Sequence, residues 1–318
     1  MLIPQLVRTL TLDPGIHPRG QPHLSAASGL VQVNGHLYVV ADDEQHLATL
    51  SLEGQAPVRL LSMLPGPLPQ DAALRKARKA DLETLTWLPP LPHYPHGALL
   101  TLGSGSTPQR ERGVLLALDA QGRVATLDGP IPGGRTPRIT DLSRLYAPLR
   151  ARFADLNIEG CFVAGGALHL LQRGNQSDPR SVCIHLDWMQ MQAWLLNGQG
   201  DAPQAHRLQT IDMGSAGVVD GVQLSVTDAT ALPDGRWAFS AVAENTHSSY
   251  LDGPCIASAI GIMGADGRLE HLHRLQGTAK VEGICTPSGG KPGVVMLVTD
   301  TDNPAVASQL LTVQLPPL

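Results

Sequence analysis

The chain has 318 residues, in which 23 Lys and Arg face 28 Asp and Glu, a formal charge of −5 with only 16% of positions charged. That balance excludes a basic footprint for nucleic acid or an anionic membrane surface. No apolar run approaches the ~18 residues of a membrane span, and Pro4 and Arg8 interrupt the segment in which a signal peptide would lie. The expected partners are small anionic molecules or ions, and the expected setting is a monomer in the cytoplasm.

Gln5 to Leu12 is the first strand-like run. A weak repeat follows, its copies opening at Ser28-Gly29-Leu30, Glu83-Thr84-Leu85, Glu159-Gly160-Cys161, Asp228-Ala229-Thr230 and Glu282-Gly283-Ile284. Each opens with a small or acidic residue and continues through apolar strands separated by turns. In the first copy, Gly29 to Val33 and Leu37 to Val40 flank Asn34-Gly35, a strong hairpin turn, and Leu47 to Leu52 and Val58 to Leu61 complete the unit. Ala72 to Ala80 reads as a loop helix or a basic turn before the second copy. That copy carries Gly97 to Leu102, Val114 to Leu118, the turn Ala120-Gln121-Gly122 and a fourth strand at Val124 to Leu127. Leu142, Leu145, Leu149 and Phe153 have amphipathic spacing, so Asp141 to Ala154 is expected to be a short helix.

The third copy ends with His206 to Ile211. The fourth turns at Pro233-Asp234-Gly235 before Trp237 to Val242 and ends with Leu269 to Leu275, where His271 and His273 are expected on opposite faces and so not to share a metal. The last copy stops after Leu310 to Val313, one strand short. Gln5 to Leu12 supplies the missing strand, because closure across the termini hides the sheet edges. The expectation is an all-β, five-bladed β-propeller with four-stranded blades, one domain over 1–318, with six blades as the alternative. The 33 glycines and 26 prolines suit short strands and turns, and 3% aromatic content puts the core on Leu, Val, Ile and Ala. Cys161, Cys183, Cys255 and Cys285 show no CxxC spacing and are expected to be buried thiols.

Innermost strands line the channel of a propeller, so the repeat openings Ser28, Glu83, Glu159, Asp228 and Glu282 are expected to meet in a ring. Four carboxylates this close raise one another's pKa unless a cation relieves them. Oxygen-only donors in a loose ring suit calcium better than magnesium. The alternative leaves these acids at strand starts facing solvent, with no metal. The ends of the second strands form an expected outer layer in which Asp42, Ser104, Ser106, Arg173, Asn175, Glu244, Asn245, Asp300 and Asp302 are the candidate substrate contacts, within segments that also include Thr246 and His247. Arg173 beside an acidic ring suits a bound phosphate or carboxylate. There is no HExxH, GxSxG or Walker glycine loop.

Leu102 to Thr107 (LGSGST), Asn157 to Gly160 (NIEG) and Leu170 to Asn175 (LLQRGN) resemble elements of a bacterial propeller family grouped with phytase-like proteins. The order Ser28, Glu83, Glu159 and Glu282 is also similar to five-bladed calcium-dependent apyrases. That resemblance implies one axial calcium held by these four residues, and hydrolysis of nucleotide phosphates there. Asp228 departs from the hydroxyl expected at the fourth place, although Thr227 is adjacent, and its extra charge should repel a polyphosphate.

Two functions are open. One is a calcium-dependent hydrolase of a phosphate ester or other small anionic ester, with Glu83 or Glu159 as base and Arg173 on the substrate anion. The other is a non-catalytic propeller that binds a ligand or protein and carries a structural axial metal.

Overall fold

A computed structural model describes residues 1–52, 56–125, 137–198, 201–245, 253–289 and 291–317. Strand β1 (Gln5–Thr9) precedes blade one, an antiparallel sheet of β2 (Ala27–Val33), β3 (His36–Ala41), β4 (His46–Ser51) and β5 (Arg59–Ser62). Asn34 and Gly35 both take positive φ, the conformation that a tight hairpin between twisted strands demands. Helix α1 (Ala72–Arg78) leads to blade two, formed by β6 (Thr86–Leu88), β7 (Ala98–Leu102), β8 (Arg112–Ala117) and β9 (Arg138–Asp141). Helix α2 (Ser143–Arg150) follows, then blade three: β10 (Ile158–Ala164), β11 (Ala167–Gln172), β12 (Val182–Asp187) and β13 (Ala205–Thr210). Helix α3 (Trp188–Asn197) lies between the last two of these.

Blade four adds the two-residue β14 (Val218–Val219) to β15 (Val222–Ala231), β16 (Trp237–Glu244), β17 (Cys255–Met263) and β18 (Leu269–Arg274). Blade five contains β19 (Val281–Cys285), β20 (Val294–Thr299) and β21 (Gln309–Gln314), and β1 completes it by pairing antiparallel with β21. The ring of blades is thus a five-bladed β-propeller closed by its N-terminal strand. Inner strands touch one another in sequence, β2 to β6 to β10 to β15 to β19 and back to β2.

Burial follows the radius. β7, β11 and β19 are buried along their whole length, whereas the outer β13 and β18 alternate between half-buried and exposed. Five apolar clusters fill the five interfaces between neighbouring blades, built largely of Leu, Val, Ile and Ala. No blade has an apolar core of its own, so each sheet depends on its neighbours and closure completes the last interface.

Several expectations need correction. The fourth strand of blade two is β9, not Val124 to Leu127; Val124 makes only an isolated bridge to Leu118, and residues 126 and 127 lie outside the described residues. Helix α3 was not expected. Asp187 caps it by accepting the Gln190 N–H at 2.9 Å, and its Met191, Trp194 and Leu195 pack onto blade three. His271 and His273 share one face of β18, with rings stacked 5.8 Å apart, because residues two apart on a strand point the same way. Cys161, Cys183 and Cys285 are buried free thiols, while Cys255 is half-buried. No helix among the described residues is long and apolar enough to cross a membrane.

Candidate functional site

A similar irregularity recurs in or just before the inner strand of every blade. In blades one, three, four and five the pairing with the second strand slips by one residue, leaving Ser28, Glu159, Thr227 and Glu282 as the extra residues of β-bulges. In blade two, the N–H groups of Glu83 and Thr84 both donate to Leu102 O, at 3.1 and 3.4 Å, so Glu83 takes the equivalent place. A bulge re-aims one side chain without ending the strand. The structurally equivalent set is therefore Ser28, Glu83, Glu159, Thr227 and Glu282.

Asp228 is the exception to the expected ring. It lies one residue further down its strand, where blades one, three and five carry Gly29, Gly160 and Gly283. Those glycines let inner strands crowd at the axis: a Cβ on Gly160 would stand 2.8 Å from Asp228 Cα, and one on Gly29 would stand 2.7 Å from Leu85 N. Asp228 is fully buried; Oδ2 accepts the Ile284 N–H at 3.1 Å, and Oδ1 has no hydrogen-bond partner among the described residues. Thr227 Oγ1 reaches Ser240 Oγ at 2.8 Å and Val281 O at 3.0 Å.

Above the ring opens a cavity of about 250 Å³. That is below the ~300–1,000 Å³ of ordinary ligand pockets, so it suits a small occupant. Ser28, Asp42, Glu83, Glu159, Arg173, Asn175, Glu244, Glu282, Asp300 and Asp302 all reach its wall. Ser104, Ser106, Asn245 and Asp228 do not. Ser104 Oγ donates to Asp81 Oδ2 at 2.5 Å and contacts Ser106 Oγ at 2.9 Å, which supports the wall from behind. Asn245 accepts the Gln176 amide at the exposed rim, and Asn175 Oδ1 ties the turn to Ser177 and Asp178. Thr246 and His247 lie outside the described residues.

Cations thread through the acids, and of them the sequence reading placed only Arg173 at the ring. Arg173 contacts Glu159 at 3.3 Å, Glu282 at 3.8 Å and Glu244 closely. Lys280 stands 3.2 Å from Glu282 and 2.7 Å from Asp302. Lys79 pairs with Asp42, with Asp81 at 2.9 Å and with Asp43 at 3.3 Å, while Arg110 meets Asp81 at 2.7 Å. Spacing was the missed signal: Lys79, Asp81 and Glu83 recur at every second residue, as do Lys280 and Glu282. Asp81 adopts φ +54°, a conformation that Asp tolerates better than most residues and that its two cations hold in place.

Burial alone would lower the Lys79 pKa, but Asp42, Asp81 and Asp43 outweigh it and hold the ammonium charged. Arg173 is likewise held charged, burial being overcome by Glu159, Glu282 and Glu244. Glu83 has less relief, from the Lys79 charge alone, and its carboxylate meets no hydrogen bond or ion pair among the described residues. Burial, then the neighbouring Glu159 and Asp81, push it well above the usual carboxyl range. Burial also raises Glu159 to about 7 despite Arg173, although Oε1 accepts the Asn157 amide at 2.5 Å. Asp42 rises to about 6, again by burial. Like charges ~4 Å apart cost on the order of 4 kcal/mol at an effective dielectric near 20, so the metal-free mouth favours retained protons.

The donor chemistry fits a hard cation in part. Glu83, Glu159, Glu282 and Ser28 offer oxygens from one ring, and Asp228 Oδ1 is a buried acceptor without a partner. Asp42, Asp81 and Glu83 also bring oxygens within 4.8 Å of one another, but Lys79 already occupies the middle of that group.

These features define a closed five-bladed propeller with a small, acid-rich axial cavity. The chain belongs to a family described as a family of unknown function, DUF6929, whose model matches residues 23–315. No curated protein matches the sequence. Among solved structures, the chain is similar to the glutaminyl cyclase of Myxococcus xanthus, with 13% identity over 99% of this chain and 98% of that one and a TM-score of 0.47. It is also similar to an endo-arabinase from Bacteroides thetaiotaomicron, with 10% identity over 98% and 99% and a TM-score of 0.49. Virginiamycin B lyase from Staphylococcus aureus gives 12% identity over 95% and 72% and a TM-score of 0.36. Likenesses this distant say nothing about the chemistry of the site.

Proposed function

We propose that this propeller binds a divalent cation on its axis, calcium by the chemistry of its donors, and receives a small anionic molecule at the mouth above it. One observation carries the reading: Ser28, Glu83, Glu159, Thr227 and Glu282 hold equivalent bulge positions in the five blades, and all of them but Thr227 reach the wall of the axial cavity. Glu83, Glu159, Glu282 and Ser28, which all reach the cavity wall, would hold the ion. The hydroxyl of Thr227 at the fourth bulge removes the departure that Asp228 introduced, and so supports the apyrase-like order of the ring.

When bound, the ion supplies a positive centre that polarises a phosphoryl or carbonyl oxygen. Glu83, where it is left off the ion, is the carboxyl best suited to give or take a proton at the mouth, because it is buried, without a hydrogen-bond partner among the described residues, and raised in pKa. Glu159 is the second proton carrier, and Arg173 fixes its orientation. These roles would suit a phosphatase-like, phytase-like or apyrase-like hydrolase of small anionic esters.

The second reading, a binding propeller with a structural metal, is favoured by Arg173 itself. Its guanidinium is committed to Glu159, Glu244 and Glu282, so a substrate anion must compete with three carboxylates. Turnover of phosphate esters, nucleotides and lactones, measured with calcium and with chelator, separates the two. Hydrolysis that requires calcium and is lost in Glu83→Gln supports the enzyme. Calcium binding without turnover of any ester leaves the binding propeller, and absence of both overturns the proposal.

A further inference from the structure

We propose that blade three carries a separate site for zinc(II), built from His169, Cys183 and His185. His169 on β11 lies directly opposite His185 on β12, and Cys183 precedes His185 by two residues, so all three side chains share one face of the blade. One ligand atom from each lies within 4.8 Å of the others. His169 pairs with Phe162 midway along the blade, and Cys183 pairs with Leu171, which pairs in turn with Gly160.

The spacing matches the metal. Cys183 Sγ is 3.6 Å from His169 Nδ1. Zn–S of ~2.3 Å and Zn–N of ~2.0–2.1 Å at a tetrahedral angle give an S–N edge of about 3.5 Å. His169 is also set in the tautomer that a ligand needs. Its Nε2 stands 3.1 Å from the Ala164 carbonyl and donates to it, leaving the Nδ1 lone pair directed at the sulfur. Phe162 stacks on the same ring at 4.5 Å and is wedged in turn against Trp237 of blade four.

A Cys183–His169 hydrogen bond inside an aromatic stack would explain two of these residues without a metal. It leaves one nitrogen of His185 unexplained: Gln209 is the side-chain hydrogen-bond neighbour of the ring, but Nε2 is buried with no hydrogen-bond partner among the described residues, and the ring meets His169 edge-on at 4.6 Å. Burial of a ring nitrogen without a partner costs free energy that a metal bond would recover. Zinc binding would displace the Cys183 thiol proton to solvent as the Zn–S bond forms. His185 is half-buried and offers the way in, and a water completes a fourth position. Arg207 pairs across from His185 on β13, and the His206 ring lies 6.1 Å from that of His185. The Arg207 charge weighs against a cation and in favour of the thiolate, so selectivity rests on the soft sulfur donor, which the oxygen ring on the axis lacks.

Titration of the metal-free full chain with cobalt(II), followed by absorption, tests this with no reference to activity. The expected result is a thiolate-to-cobalt charge-transfer band that saturates at one equivalent, is displaced by zinc, is absent in Cys183→Ser and persists in Glu159→Gln. In His185→Gln, which keeps the sulfur, apparent affinity should fall by more than about tenfold. No charge-transfer band in folded wild type, a band that survives Cys183→Ser, or unchanged affinity in His185→Gln would each overturn the site.

Discussion

The Asp228 carboxylate bridges two blades, accepting the Ile284 N–H at 3.1 Å from the neighbouring inner strand while its other oxygen stays buried without a hydrogen bond among the described residues. Burial pushes this carboxyl well above its ordinary pKa, so it resists ionisation. Asp228→Asn keeps an acceptor for Ile284 and is expected to melt close to wild type in the absence of metal. Asp228→Ala leaves that buried N–H unpaired and should cost about 1–3 kcal/mol, read from denaturant unfolding. An alanine variant as stable as wild type would show that the bridge contributes nothing.

Arg173 is the cation shared by Glu159, Glu244 and Glu282. Removing one partner of a buried ionic group leaves charge uncompensated, so Arg173→Ala should lose about 3–5 kcal/mol at neutral pH. Calcium should restore part of that loss if the axis accepts it. Melting of the variant with and without calcium checks both statements, and a variant with wild-type stability in chelator would contradict the first.

Glu159 gives the pH dependence its sign. Its folded pKa lies above the unfolded value, at about 7 against 4.5, so the folded state binds this proton more strongly. The resulting stability is fully present below about 4.5 and is lost as pH rises through about 7. In chelator, the melting temperature should therefore fall between about pH 5 and pH 7.5, and Glu159→Gln should flatten that fall. Calcium needs ionised carboxylates, so its affinity should climb across the same interval. A melting temperature that rises over this range in chelator would reverse the assignment.

The blades were legible because their determinants are local. Asn34-Gly35 dictates a turn, apolar runs of five or six residues dictate strands, and a chain one strand short at its end points to β1. The fourth strand of blade two was hidden because β9 is only four residues long and comes after a long excursion from β8, while Val124, nearer in sequence, had the better strand composition. The ring was legible in four of five blades, where a serine or glutamate is followed by glycine or threonine. It was misread at Thr227 because a bulge adds a residue without any compositional mark, and the acid beside it drew the assignment. Lys79 and Lys280 were missed because a charge is easily taken as solvated when its partners come from other blades.

Differential scanning of wild type and Glu159→Gln in calcium, magnesium and chelator tests the axial site most directly. The account predicts that calcium raises the wild-type melting temperature more than magnesium does, that chelator abolishes the gain, and that Glu159→Gln loses most of it. Identical melting of wild type in all three conditions would contradict an axial cation and leave Lys79, Arg173 and Lys280 to counter the charge of the ring.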